Sequence, residues 1–362
     1  MDKTLNRHMF LGNNTPNGFY SLFKYLLSQD EANRIICLKG GPGTGKSSLM
    51  KKLAFHFKSN GYTVEEYHCS SDDQSLDGVL VKELKAAILD ATSPHMTDPI
   101  SPGAIDKIVD LAVALDSKDM VNYKKDIISL STQISECFSR AYTFFKSANS
   151  IYLDWRYINK SSVNKDLLLN LESTIKSAVL PIKSSNTLGG ERHLFATAFT
   201  PNGIVSFSEL LAKSLGKIFV LKGEPGLYKS DLLKSLGVSA QKLGLYVEYY
   251  HHPLLPDELE HIIIPSEGIG VFSENELSKI KLNATVFDLS SLCDKSILAK
   301  YKEELDFDKT EFDILLNKGL SLITEAKITH DKLEKIYVSH MDFNLVNKIF
   351  NDIILDFEKF KV

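Results

Sequence analysis

The chain has 362 residues, 43% hydrophobic and 24% charged, with a formal charge of −4. This is the composition of a globular protein long enough for two domains. The charge gives no whole-chain attraction for nucleic acid and no apolar run reaches the length of a membrane span, so neither partner is expected.

In chain order, Met1 to Arg7 lacks the apolar core of a secretory signal, and a cytoplasmic location is the expectation. Ser21 to Leu27 reads as a short helix. Ile35-Ile36-Cys37-Leu38 reads as a buried strand, while Leu49, Met50, Leu53, Ala54 and Phe57 recur at helical spacing. Between them lies Gly40-Gly41-Pro42-Gly43-Thr44-Gly45-Lys46-Ser47, with Ser48 next, which fits G-x-x-x-x-G-K-[ST] at every specified position. Glycines let such a backbone turn its N–H groups inward around an anion, and the open first turn of the helix adds its positive dipole end. The pattern predicts that residues 40–48 hold the phosphates of a nucleoside triphosphate. Lys46 would bridge the β- and γ-phosphates and the Ser47 hydroxyl would ligate Mg²⁺.

Asn60-Gly61 closes the helix. Thr63 to His68 reads as a second strand and Gly78 to Val81 as another. Asp72 and Asp73, between them, are either solvated loop acids or a base or metal carboxylate. Ala86-Ala87-Ile88-Leu89-Asp90 is an apolar run ending in a carboxylate, the form of a Walker B strand; Asp90 is thus either a second Mg²⁺ ligand acting beside Lys46 or a turn residue. His95 reads as a polar loop residue. The four cysteines, Cys37, Cys69, Cys137 and Cys293, include no C-x-x-C pair, so reduced thiols are expected rather than disulfides or zinc.

Beyond Leu111 the pattern changes. Ile134, Phe138, Ala141, Phe145, Ala148, Tyr152 and Trp155 form an a/d seam, the mark of a helix of about 40 residues and about 60 Å. A shorter amphipathic helix follows at about 163–178. The long helix is either an arm for a protein partner or second copy, or half of a hairpin packed on its own return helix and its twin.

The chain is then written again. Arg7-His8-Met9-Phe10 and Thr15-Pro16-Asn17-Gly18 return as Arg192-His193-Leu194-Phe195 and Thr200-Pro201-Asn202-Gly203, at an offset of 185. Further on the offset is 183: Leu38-Lys39-Gly40 matches Leu221-Lys222-Gly223. A second seam runs through Phe312, Leu315, Gly319, Leu322, Ala326, Thr329, Leu333 and Ile336, followed by a helix at about 343–360. The second loop reads Gly223-Glu224-Pro225-Gly226-Leu227-Tyr228-Lys229-Ser230. Tyr228 replaces Gly45, and the offset places Ser273 opposite Asp90 and Leu255 and Pro256 opposite Asp72 and Asp73. Several parts of a magnesium nucleotide site are missing together, so the second site is expected to be degenerate. Of the five arginines, none lies between Arg34 and Arg140, where a kinase lid would carry one. An arginine from the helical arm, or Arg192, could act across the interface instead.

With its flanking strand and helix, Gly40 to Ser47 resembles the P-loop NTPase superfamily over roughly the first 110 residues. The doubled plan resembles a bacterial group of tandem P-loop ATPases over the full chain. The resemblance implies an α/β fold of two tandem units, each a mostly parallel sheet flanked by helices and followed by a long helical hairpin. The units would span 1–185 (core to about 115, arm about 116–180) and 186–362 (core to about 292, arm from about 293). It also implies ATP and Mg²⁺ as cofactors, with Lys46, Ser47 and Asp90 in the roles above. Three functions stay open: an ATPase that moves its halves, a kinase with Asp72 or Asp73 as base, and a nucleotide sensor that binds a partner through its arms.

Overall fold

The computed structural model describes residues 6–94 and 97–361; His95 lies outside them. The first half contains β1 (Arg7–Phe10), β2 (Gly12–Thr15), β3 (Gly18–Ser21), β4 (Arg34–Lys39), α1 (Lys46–Ser59), β5 (Val64–Cys69), β6 (Asp72–Val81), β7 (Ala86–Asp90) and β8 (Asp106–Asp110). Three helices follow: α2 (Ser117–Met120), α3 (Lys124–Ser161) and α4 (Lys165–Val179). The second half repeats the plan as β9 (Glu191–Leu194), β10 (Thr197–Thr200), β11 (Gly203–Ser206), α5 (Ser208–Ala212), β12 (Lys217–Lys222), α6 (Lys229–Lys242), β13 (Val247–His251), β14 (Leu259–Ile264), β15 (Ile269–Ser273) and β16 (Thr285–Asp288). It closes with α7 (Lys295–Lys300), α8 (Lys302–Val338) and α9 (Phe343–Glu358).

Each half builds a six-stranded sheet, in the order β1-β5-β6-β7-β4-β8 and, correspondingly, β9-β13-β14-β15-β12-β16. The sheets are mixed: β6 and β14 run antiparallel to both neighbours, and the other pairings are parallel. The cause is the link after β5. Only Ser70 and Ser71 separate it from β6, too few for the crossover a parallel pair requires. Asp72 and Asp73 therefore open a ten-residue strand instead of lying in a loop, and the strand placed at 78–81 is its second part. Ser21 to Leu27 forms the end of β3 and a single 3₁₀ turn at Phe23–Tyr25. The apolar runs in β4 and β7 are buried, as central strands covered on both faces should be.

The repeated Arg-His-x-Phe segments are the junction between the halves. Phe10 and Phe195 exchange backbone hydrogen bonds at 2.9 and 3.0 Å, and Asn13 and Asn14 reach across to the backbone of Thr197 and Phe199. Arg7 and Arg192 lie beneath this bridge, each bound to both Glu65 and Glu248, the ion pairs spanning 2.5 to 2.9 Å. The Tyr250 hydroxyl accepts from Arg7 and donates to Glu248. Arg192 is thus fully engaged in the junction, which removes it from any role at a phosphate. Burial opposes ionisation here, but Arg192 and Arg7 outweigh it and hold both carboxyls below the ordinary glutamate range, Glu248 at about 2.

The arms account for the other half of the architecture. α3 lies along α8, and the expected seams meet: Ala141, Phe145, Ala148 and Tyr152 pack with Phe312 and Leu322, and also with Leu316, Leu320 and Ile323, which the expected seam of α8 leaves out. A Cβ on Gly319 would run into the Phe145 ring, so glycine is what lets the two helices close there. The return helices do not pack back on their own arms. Ile175 and Val179 of α4 join Leu221, Leu232 and Leu236 of the second half, while Val346, Ile353 and Phe357 of α9 join Ile36, Leu38 and Leu49 of the first. Each sheet is covered by the other half's final helix. No helix among the described residues is long and apolar enough to cross a membrane.

Replacing Arg192 by alanine leaves two buried carboxylates short of a partner, a change that typically costs about 3–5 kcal/mol; chemical denaturation is expected to show a loss of this order. Because the folded carboxyls ionise at lower pH than unfolded ones, the stability they supply is complete above the unfolded value of about 4.3. It fades as the pH falls from there toward about 2, which an acid titration of the wild-type midpoint would register.

Candidate functional site

The Gly40–Ser47 loop joins β4 to α1, where the strand's buried run fixes one end and the apolar face of α1 fixes the other. Its glycines at 40, 43 and 45 have φ of 144°, 67° and 91°, values that residues with a Cβ rarely adopt. The Lys46 ammonium donates to the carbonyls of Gly40 and Gly41 at 2.8 and 2.9 Å and stands 3.6 Å from the Asp90 carboxylate. Asp90 ends β7 directly beside β4, paired in register with Leu38, and also accepts from the Thr92 amide and hydroxyl. Ser47 accepts from the Leu76 amide at 3.0 Å. Thr44 is buried and donates to the Gly41 carbonyl. Loop, lysine and strand-end aspartate therefore converge on one spot, and Ser47, next in the chain, is anchored to β6.

Asp72 and Asp73 open the strand whose Leu76 amide binds Ser47, and both are tied down. Asp72 accepts from the Ser75 hydroxyl and faces Lys327 of α8 at 3.4 Å. Buried Asp73 accepts from Asn202, in the second half's Thr-Pro-Asn-Gly turn, at 2.9 Å. Both carboxylates thus have partners within the protein. Against the effect of burial, Asp331 and Asp72 raise the Lys327 ammonium above its ordinary value.

Sequence reasoning missed the rest of the lining, which comes from the other half. A side chain on Gly41 would approach the Tyr337 ring, one on Gly43 would meet the Glu334 carbonyl and Val338, and one on Gly45 would touch Phe343 and Val346. The end of α8 and the start of α9 thus rest on the loop. His330, Asp331 and Glu334 bring their ligating atoms within 4.8 Å of one another on this face. Nothing local in the sequence marks these residues, because only the exchange of arms delivers them.

The second loop keeps much of the first loop's form. Gly223, Gly226 and Tyr228 have φ of 153°, 88° and 60°. Tyr228 thus takes the backbone conformation of Gly45 despite its Cβ, at a cost of order 1–3 kcal/mol. Ser230 accepts from the Leu259 amide as Ser47 does from Leu76, and Ser273 pairs with Leu221 as Asp90 does with Leu38. The offset of 183 is therefore a spatial equivalence, and the aspartate's place is held by a serine. Here the arm is α3: Asn159 donates to the Pro225 carbonyl at 2.8 Å, and a side chain on Gly226 would strike the Arg156 carbonyl.

Among known proteins, the family model described as Nephrocystin 3, N-terminal, matches residues 20–148, a stretch from β3 into α3 that is less than half of the chain. No curated protein and no solved structure matches the chain.

A Gly43→Ala chain would have to hold alanine at a φ of 67° with its methyl against Glu334 of α8. A loss of about 1–3 kcal/mol is expected, together with faster hydrogen exchange at the end of α8, which mass spectrometry would detect.

Proposed function

We propose that residues 40–48 are a P-loop, and that the protein is an ATPase whose one competent site lies in its first half. The observation that carries this reading is the meeting of Lys46 with the Gly40 and Gly41 carbonyls and the Asp90 carboxylate. The residues present fit a magnesium nucleotide: the Ser47 hydroxyl and Asp90 are the oxygen donors that would hold Mg²⁺. When bound, the ion would supply charge neutralisation at the β- and γ-phosphates. Lys46 would leave its carbonyl partners for the phosphates, and the loop amides would orient them. Adenine is preferred over guanine because no N-K-x-D motif occurs.

The engagement of Asp72 and Asp73 speaks against an acceptor kinase. The contact of the loop with α8 and α9 favours a coupled machine: a nucleotide that changes the loop presses on helices of the opposite half, and movement of the halves would follow. The same contact supports the third reading, a sensor with slow turnover that signals through its arms.

Calorimetry with a nonhydrolysable ATP analogue and Mg²⁺ is expected to give one site per chain, weakened about tenfold or more by Lys46→Ala, given the worth of hydrogen bonds to charged groups. Two equivalent sites, or unchanged affinity in the variant, would overturn the assignment. Phosphate release without an added acceptor separates the ATPase from the kinase, and tight binding with negligible turnover identifies the sensor.

A further inference from the structure

The second loop lacks the aspartate, yet its surroundings are rich in anion-binding groups. A pocket beside it is lined by Arg156 and Lys160 from α3, by Lys229 and Ser230 at the start of α6, and by His252. Arg156 donates to Glu258 at 2.5 Å, and the Lys160 ammonium stands 4.9 Å from the centre of the Tyr228 ring at the mouth. Lys229 donates to the Gly223 and Glu274 carbonyls, a resting position like that of Lys46.

His252 is the informative residue. It is only 7% exposed. Its Nδ1 accepts from the amides of Leu254 and Leu255, both at 3.3 Å. Burial, helped by Arg156 and Lys229, lowers its pKa to about 3 and keeps the ring neutral. The ring proton therefore sits on Nε2, and this donor has no hydrogen-bond acceptor. The Glu276 carboxylate, at 3.8 Å, is out of reach. A buried N–H left without an acceptor is costly, and its ring lines a pocket that also holds Arg156, Lys160 and Lys229 beside the acids Asp231 and Glu258.

The partner supplied by the opposite half has also changed sign. The position over Gly43 is taken by Glu334 and the position over Gly226 by Arg156. The first loop thus has two carboxylates nearby, Asp90 and Glu334, suited to a metal ion. The second has Arg156, and Ser273 in the place of Asp90. Of the acids around it, Glu258 is committed to Arg156, Asp231 in the first turn of α6 is exposed, and burial pushes the Glu276 and Glu260 carboxyls up, Glu260 to about 7. The cavity, about 50 Å³, has room for a few water molecules and so for a phosphate group, but not for a nucleoside.

We propose that the second loop is a magnesium-independent phosphate site, in which the α6 amides, Lys229 and His252 Nε2 of one half and Arg156 of the other bind a single phosphoryl group. The group is either free phosphate or the end of a small phosphomonoester whose remainder lies outside, along Lys160 and Tyr228. The proposal does not rest on what the first loop binds.

The test is calorimetry on the full-length Lys46→Ala chain in EDTA, titrated with inorganic phosphate and, separately, with glycerol 3-phosphate. One site per chain is expected, with affinity unchanged when EDTA is replaced by Mg²⁺. Adding Arg156→Ala or His252→Phe should weaken it about tenfold or more, the equivalent of one charge-assisted hydrogen bond, and Arg156→Lys should restore part of the loss. Tighter binding of the ester identifies an esterified ligand, and equal or weaker binding identifies the free anion. Absence of binding up to about 10 mM, far weaker than a built site should be, would overturn the proposal. So would wild-type affinity in both Arg156→Ala and His252→Phe, or a strict requirement for Mg²⁺.

Discussion

Two arginines and two glutamates buried at the junction set the terms for everything else in this molecule. A buried guanidinium or carboxylate is tolerated only when its hydrogen bonds are met, and here each of Arg7 and Arg192 satisfies both Glu65 and Glu248. Each half contributes one arginine and one glutamate, and each of these groups completes its hydrogen bonds only by pairing across the junction as well as within its own half. The halves must meet in one orientation, and the Phe10–Phe195 bridge aligns their edge strands in that orientation.

From that orientation follows the crossing of the arms. Once α3 and α8 lie side by side, each chain segment emerges over the opposite sheet, and α4 and α9 bury their apolar faces there. The glycine-rich loops are consequently finished by foreign residues. Small differences between α3 and α8, Arg156 against Glu334 above all, then give two loops of similar backbone very different electrostatic surroundings.

The sequence made some of this legible and hid the rest for physical reasons. The lead-in strand Ile35–Leu38, the loop and α1 are local, and their periodicities and glycines announce them. The repeat offset correctly paired Asp90 with Ser273 because insertions within a packed sheet would break its register. The antiparallel β6 escaped notice because its polar start, Asp72 to Ser75, does not look like a buried strand. The arms were half legible: the packing of α3 on its twin α8 was among the expectations, but the seam at Ala141 to Trp155 does not show that the return helices cross to the opposite sheets instead of folding back on their own arms. Arg192 shows the same limit from the other side. Its repetition at positions 7 and 192 was visible, whereas its four carboxylate contacts depend wholly on tertiary geometry.

The reciprocal coverage of the sheets carries a historical implication. Contacts in which each copy offers the same surface to the other are those of a two-fold homodimer, and a polypeptide with a single repeat would expose the face that α4 or α9 now hides unless a second molecule supplied the missing helix. Gene fusion of such an obligate dimer would have made the two loops independently mutable for the first time. One could then lose its aspartate, and acquire an arginine overhead, without the other following.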